Sequence, residues 1–326
     1  MSNPWIIDEA DFYELETHQQ QMEFLLRYAI LAPSGHNTQP WTFRIAADGI
    51  EVMADYSRRL PIVDKDDREL LMSVGAAIAN FRVAAAHFGS DSTITYEQRA
   101  LESVPVATIR VCETCAPKES LAALFPAIRK RHTNRQPFDG QPLDPAALQA
   151  VCDVLDAHPA SLRLILPRDT ERVTECLASA ERTLMARPAY RAELAECRMP
   201  AETLGMPRIL SGISPWLTRT FDLGELQARR DVALTRSASM LVILTAADDR
   251  VSLLQAGEVL EILLLTVTAA GLQYSFLNAA VDVKESRDRL RMLAGSTHPP
   301  QALLRIGSAS VAAEPTPRRA VETVIV

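Results

Sequence analysis

Glycine is scarce in this chain, which has only twelve glycines among 326 residues. Neither the GxGxxG fingerprint of dinucleotide-binding folds nor the GxxxxGK loop of nucleoside triphosphatases occurs in it. Both motifs hold phosphates with backbone amides that glycine allows to approach closely. A phosphate-bearing ligand of this chain must therefore be held by cationic and hydroxyl side chains.

Cysteine and histidine are also few. The five cysteines are too few and too odd in number for a disulfide framework, so we expect reduced thiols. Cys112 and Cys115 form a CxxC, but no second CxxC or histidine pair completes a zinc site, and a redox or metal role is the less favoured alternative. The six histidines show no HExxH or HxH spacing, so no catalytic metal is predicted.

Positively charged side chains are also fewer than negatively charged ones, 34 against 41. The net charge of −7 and the pI near 5.5 argue against a nucleic-acid partner or an anionic membrane surface. The acidic segment 1–14 has no apolar signal region, and no run reaches the roughly 18 uninterrupted apolar residues of a membrane span. With 48% hydrophobic residues, the chain is expected to be globular and cytoplasmic, with no membrane partner.

The most informative stretch that is present is the loop LAPSGHNTQPW at 31–41. Its prolines stiffen the backbone, Gly35 lets the main chain approach a ligand, and Asn37 and Gln39 can each donate and accept hydrogen bonds. Such a loop suits a flat ring with polar edges, for example a flavin. The alternative is an ordinary helix-to-strand loop rich in turn-forming residues.

Two segments resemble motifs of the FMN-dependent nitroreductase family. The loop at 31–41 resembles the family's flavin-contacting APSSxNxQPW segment, and IRKRHTNRQPFDG at 128–140 resembles its phosphate-binding RxSxR/K segment. The alternative for 129–132 is a solvated basic helix end. The cofactor-binding residues that the resemblance implies in these segments are Pro33, Ser34, Gly35, Asn37, Gln39, Arg131, His132, Thr133, Asn134 and Arg135.

An internal repeat predicts the fold class. Two apolar segments each lie between glycines at equal spacing, Gly75 to Gly89 and Gly257 to Gly271. A helix that is apolar on every side is buried, and each segment is followed by a strand-like run. The sequence therefore predicts an α+β protein built from two tandem copies of one unit.

The two copies carry different motifs. The ring-edge loop falls in the first half, residues 1–118, and the RHTNR segment opens the second half, residues 119–326. Because nitroreductases that resemble this chain are usually dimers, the resemblance implies a pseudo-dimer within one chain, as a monomer or a weak homodimer. Only one complete flavin site is expected per chain.

The resemblance is strongest to the fused, Acg-like branch of the superfamily. It rests on DDRELLMSVGAA at 66–77, on the RxTNR segment and on a C-terminal double arginine. In the family such an arginine pair folds back onto the phosphate, and the segment LQYSFLN meets the pyrimidine edge of the flavin. The residues implied are Phe276, Leu277, Asn278, Arg318 and Arg319.

These motifs imply an FMN-dependent oxidoreductase in which hydride passes from NAD(P)H through the flavin to nitroaromatics, quinones or similar small acceptors. No catalytic side chain is then required, and Arg135 stabilises the charge of the reduced ring. The alternative is a flavin-sequestering protein in which 198–230 forms a lid, and a third is a flavin-dependent activity on a peptide or cofactor-like substrate. The apolar lid residues would be Met206, Ile213, Trp216 and Phe221.

Overall fold

The strands form two antiparallel sheets with the same internal order. The computed structural model describes residues 3–47, 49–99, 104–112, 115–158, 161–197 and 214–326. The first sheet has the order β1-β2-β4-β3 and the second β5-β6-β8-β7. The strands are β1 (Trp41–Ala46), β2 (Gly49–Ala54), β3 (Asp91–Tyr96), β4 (Ala107–Cys112), β5 (Leu162–Ile165), β6 (Met240–Thr245), β7 (Gln273–Phe276) and β8 (Pro300–Gly307).

Helices surround and separate these sheets, and two of them are 20 residues long. In the described part of the chain they are α1 (His18–Ala29), α2 (Arg68–His87), α3 (Glu119–Ala122), α4 (Phe125–Ile128), α5 (Pro145–Ala157), α6 (Thr170–Met185), α7 (Pro188–Glu196), α8 (Ser214–Thr220), α9 (Gly224–Arg236), α10 (Arg250–Ala269), α11 (Ala279–Asp282) and α12 (Lys284–Ala294).

The two long helices, α2 and α10, pack against each other at the centre of the molecule. A Cβ atom on Gly75 would lie 2.0 Å from the carbonyl oxygen of Leu254, and one on Gly257 would lie 2.1 Å from that of Met72. The glycines thus allow backbone-to-backbone contact. Both helices are long and apolar enough to cross a bilayer, but most of each is buried in the interior of this molecule. They are core helices, as the repeat predicted.

The main difference between the two sheets lies between their first two strands. A tight hairpin joins β1 to β2, with Ala46 paired to Gly49. The corresponding connection from β5 to β6 contains α6 to α9. We call this segment, residues 166–239, the insertion; its residues 198–213 lie outside the described part. The insertion gives the second sheet a helical wall that the first sheet lacks.

The C-terminal residues return to the first sheet. Phe43 of β1 donates its backbone N–H to the carbonyl oxygen of Val324 (2.7 Å), and Val326 donates to the carbonyl oxygen of Phe43 (2.9 Å). Residues 316–326, which we call the C-terminal arm, therefore run along the edge of β1, immediately after the 31–41 loop.

One expectation about the cysteines is wrong. Cys112 and Cys115, predicted to be reduced, form a disulfide, while Cys152, Cys176 and Cys197 are free thiols. The Cα atoms of Cys112, at the end of β4, and Cys115 lie 5.4 Å apart, within the range that a disulfide bridges. The number of cysteines, on which the expectation rested, carries no information about how close two particular cysteines lie.

Candidate functional site

A cavity of about 420 Å³ lies where α2, the 31–41 loop, the 131–135 segment, the start of α11 and the insertion meet. A cavity of this size falls in the range that encloses small ligands and cofactors. It brings together residues from both halves of the chain. The predicted site residues that line it are Pro33, Ser34, Gly35, Asn37, Arg131, His132, Thr133, Arg135, Phe276, Asn278 and Arg318.

The loop at 31–41 has an unusual backbone. His36, Asn37 and Gln39 all have positive φ angles, 46°, 58° and 52°, a region that side-chain-bearing residues seldom adopt. The Ser34 hydroxyl accepts a hydrogen bond from the backbone N–H of Gln39 at 2.9 Å and helps to fix this shape. A Cβ atom on Gly35 would lie 2.5 Å from a carboxylate oxygen of Glu69, so a larger residue there would displace that carboxylate. Such strain concentrates at functional sites.

His36 lies at the centre of this strained turn and lines the cavity. Its Nδ1 atom is buried and has no hydrogen-bond partner among the described residues. Burial lowers the pKa of the imidazole, with Glu69 opposing the shift and Arg135 adding to it. A neutral imidazole with a free ring nitrogen is therefore available to a ligand.

Arg135 is a cation at the cavity wall, and its guanidinium has no partner among the described residues. Its guanidinium lines the cavity, and in the described part of the chain it makes neither an ion pair nor a side-chain hydrogen bond. Burial lowers its pKa, Tyr274 opposes the shift, and neighbouring Arg230 adds to it. A guanidinium nevertheless stays charged at neutral pH. A desolvated cation of this kind favours an anion in the cavity.

Arg131, only four residues earlier, is committed to the protein. It is 1% exposed, and its Nε atom lies 3.0 Å from Oε1 of Glu261, a charge contact without a linear hydrogen bond. The other guanidinium nitrogens donate to the hydroxyl of Tyr274 and to the carbonyl oxygen of Leu31 (2.8 Å). Its donors are thus largely occupied.

The C-terminal arm braces the loop through its two arginines. Arg318 lines the cavity and donates to Oδ1 of Asn37 (3.0 Å), while Arg319 donates to the carbonyl oxygens of Gln39 (3.0 Å) and Trp41 (3.3 Å). Burial and the charge of Arg131 lower the pKa of Arg318 to about 9. Arg319 does not line the cavity. It supports the loop from behind.

Three other predicted residues also lie behind the cavity wall. Gln39 accepts a hydrogen bond from the backbone N–H of Arg319 at 2.7 Å. Asn134 donates to the carbonyl oxygen of Val311 at 2.7 Å, and Leu277 is buried in the core beside the second sheet. These residues position their neighbours.

Carboxylates form another part of the wall. Glu69 accepts a hydrogen bond from the side-chain amide of Asn278 at 2.8 Å, and Asp282 pairs with the buried Arg68 at 2.6 Å. Burial and the charge of Glu69 raise the pKa of Asp282 well above its usual value, with Arg68 opposing the shift. Asn278 therefore joins the β7–α11 corner to the start of α2.

The insertion covers the cavity with side chains other than those expected. Trp216 and Phe221, predicted to lie over the ring, are 60% and 49% exposed and do not line the cavity. Met206 and Ile213 lie outside the described residues. In the described part of the insertion, α6 and α7 supply most of this cover through Glu181, Met185, Tyr190 and Leu194. Cys197 after α7 and Gln227 of α9, which lies inside the predicted lid segment 198–230, also line the cavity.

Known proteins resemble this chain along nearly its whole length. No protein-family model matches it. Two Mycobacterium tuberculosis proteins, provisionally named NAD(P)H nitroreductase Rv3131 and NAD(P)H nitroreductase acg, are each 30% identical; they cover 92% of this chain and 90% and 93% of their own lengths. The chain belongs to the nitroreductase family. The prediction that the chain is a member of the nitroreductase family is confirmed.

The nitroreductase fold is confirmed independently by a solved structure. A provisionally assigned nitroreductase from Anabaena variabilis superimposes with a TM-score of 0.51 over 93% of this chain and 91% of its own, at 9% identity. At that identity the likeness concerns the fold alone. The prediction of an α+β, nitroreductase-like architecture is therefore correct.

Sequence reasoning missed several residues of this nitroreductase cavity. His36 stands inside the recognised loop, and Glu69 inside the recognised DDRELLMSVGAA stretch, so a signal existed for both. Glu181, Tyr190 and Asp282 belong to no recognised motif. Only packing of α6, α7 and α11 around the opening identifies them.

Proposed function

We propose that this nitroreductase-family chain binds one FMN in the cavity and uses NAD(P)H to reduce nitroaromatics, quinones or similar small acceptors. The observation that carries the proposal is the partnerless, desolvated Arg135 in a cavity of about 420 Å³. When bound, FMN supplies a ring that accepts and donates hydride. The protein supplies binding, orientation and charge.

The residues present fit such a cofactor. Arg135 and the hydroxyl of Thr133 offer donors to anionic or carbonyl oxygens, and His36 offers an unsatisfied ring nitrogen. Asn37 and Phe276 add a polar and an aromatic group to the same wall. We assign Arg135, Thr133 and Arg318 to the anionic parts of FMN. Arg131 serves mainly to hold the 131–135 segment in place.

A pseudo-dimer with a single site is part of the proposal. The identical strand orders and the Gly75–Gly257 contact support two halves, 1–118 and 119–326. If Gly75 of α2 is matched with Gly257 of α10, then Ala76, which lines the cavity, corresponds to Glu258. Glu258 pairs with Arg82 at 2.8 Å and with the hydroxyl of Tyr96, so the position that matches Ala76 carries a paired polar side chain and favours a single cavity. We therefore expect one FMN per chain and a functional monomer in the cytoplasm.

Flavin sequestration is the competing function. The cover formed by Met185, Tyr190 and Leu194 favours it, because apolar and aromatic side chains there compete with a nicotinamide for the open ring face. An enzyme needs that face to be reachable.

The experiment is anaerobic mixing of the FMN-loaded chain with NADPH or NADH, followed by loss of flavin absorbance. Bleaching within seconds, and recovery when a quinone is added, supports the enzyme. Retention of colour over many minutes, with FMN content verified at one per chain, supports sequestration. Release of close to two FMN per chain contradicts the single-site proposal.

A further inference from the structure

The insertion places a pair of carboxyl groups at the cavity. Glu181 on α6 lines the cavity, and its side chain forms a hydrogen bond with Asp231 on α9. Two carboxyl groups form such a bond only when one of them carries a proton. Since α6 and α9 belong to the insertion, this pair has no equivalent in the first half.

The surroundings keep the proton on Glu181. Burial raises its pKa well above the usual range, the charges of Asp231 and of Asp282 on α11 raise it further, and Arg230 on α9 opposes them. Burial also raises the pKa of Asp231, but its hydrogen bond with Glu181 and the charges of Arg230 and Arg305 oppose that shift. Tyr190 on α7 also lines the cavity, and burial raises its pKa, so it stays neutral. Glu181 is therefore a neutral acid that faces the cavity.

The same cavity shows independent signs of a ligand. The guanidinium of Arg135 lines its wall without a partner in the described part of the chain, and the Nδ1 atom of His36 is buried there without one. The carboxyl pair thus borders a space that other side chains are arranged to fill with a bound molecule.

We propose that Glu181 is the general acid that protonates the electron acceptor, with Asp231 as the positioning residue that shares its proton. The inference rests on the proposed function. Reduction of a quinone to a hydroquinone takes one hydride, which NAD(P)H provides by way of the cofactor, and one proton. The O–H bond of Glu181 breaks, its electron pair stays on the carboxylate, and a new O–H bond forms on the acceptor oxygen. Solvent then returns a proton to the carboxyl pair.

The test compares E181Q with E175Q, which changes an exposed glutamate on the same helix. E181Q is expected to slow reoxidation of the reduced, FMN-loaded chain by a quinone about a hundredfold or more, the range that general acids contribute. Reduction by NADPH and the FMN dissociation constant should be unchanged. In the parent, reoxidation should slow at high pH as Glu181 ionises, and E181Q should lose this dependence.

A second variant and a second readout separate catalysis from structure. D231N removes the neighbouring negative charge, so the decline in reoxidation should move to lower pH. In the flavin-free chain at neutral pH, the infrared band of a protonated carboxyl should be present in the parent and in E175Q and reduced in E181Q.

Each outcome decides the matter. If E181Q reoxidises at the parental rate with the parental pH profile, or if its protonated-carboxyl band is as strong as that of the parent, the general-acid role is refuted while the proposed function stands. If no acceptor reoxidises the parent, the proposed function fails and the proton role fails with it.

Discussion

Arg131 and Arg135 lie four residues apart in one segment, and their variants should behave in opposite ways. We consider Arg131→Met and Arg135→Met, which keep an unbranched, flexible side chain and remove the guanidinium with its charge. Arg131 is enclosed by Glu261, Tyr274 and Leu31, whereas Arg135 has no partner in the described part of the chain. The first change breaks a buried charge pair, and the second removes an unpaired charge.

The expected magnitudes follow from this difference. Arg131→Met leaves Glu261 buried without its cation and should lower the free energy of unfolding by about 3–5 kcal/mol. Arg135→Met relieves the desolvation of an unpaired cation and should raise the free energy of unfolding of the flavin-free chain by about 1 kcal/mol. It should also weaken FMN binding by about 1.5–3 kcal/mol, which is roughly a tenfold to hundredfold increase in Kd, because it removes a charge-assisted contact.

Two measurements check this. Urea denaturation of the flavin-free variants, followed by circular dichroism, gives the free energies of unfolding, and titration of FMN fluorescence gives Kd. R236A is the control, since exposed Arg236 contacts only Glu171 among the described residues, at 2.8 Å, and should change either quantity little. If Arg135→Met destabilises the chain as much as Arg131→Met, or if it binds FMN with the parental Kd, the division of roles is refuted.

Three further changes test the core, a buried carboxyl group and the arm. Gly75→Ala should lower the free energy of unfolding by about 2–3 kcal/mol, because its Cβ atom would lie 2.0 Å from the carbonyl oxygen of Leu254. Gly89 has a φ of 91° and open space around it, so Gly89→Ala should lower the free energy of unfolding by only about 1 kcal/mol in the same urea assay. Burial raises the pKa of Glu261 from 4.5 to about 7, although Arg131 opposes the shift. Between these two pH values the folded chain keeps a proton that the unfolded chain loses. The free energy of unfolding should therefore fall by about 3 kcal/mol as pH rises from 4.5 to 7. Glu261→Gln should abolish that decline in urea midpoints measured across this pH range, and an unchanged slope would contradict the assignment. Arg319→Ala frees the 31–41 loop from the C-terminal arm, so it should lower the free energy of unfolding by about 2 kcal/mol and weaken FMN binding indirectly. An unaltered FMN Kd would show that the loop needs no such support.

Much of this protein is determined by short-range sequence features. The scarcity of glycine excluded two kinds of phosphate loop, and the motifs at 31–41 and 128–140 identified the family before any fold was known. The paired glycines at 75 and 257 marked the two helices that meet at the core. These features are predictable because periodicity, backbone freedom and motif spacing are properties of neighbouring residues.

Only the tertiary structure decided which of these residues are free to act. Arg131 and Arg135 are chemically identical in the sequence, yet one meets Glu261 from a helix 130 residues later and the other meets an open cavity. Glu181 and Asp231 share a proton only because α6 packs on α9, and the cover lies on α6 and α7 and not at Trp216. Burial, charge and the choice of partner depend on contacts between residues far apart in the chain, and local sequence patterns do not encode those contacts.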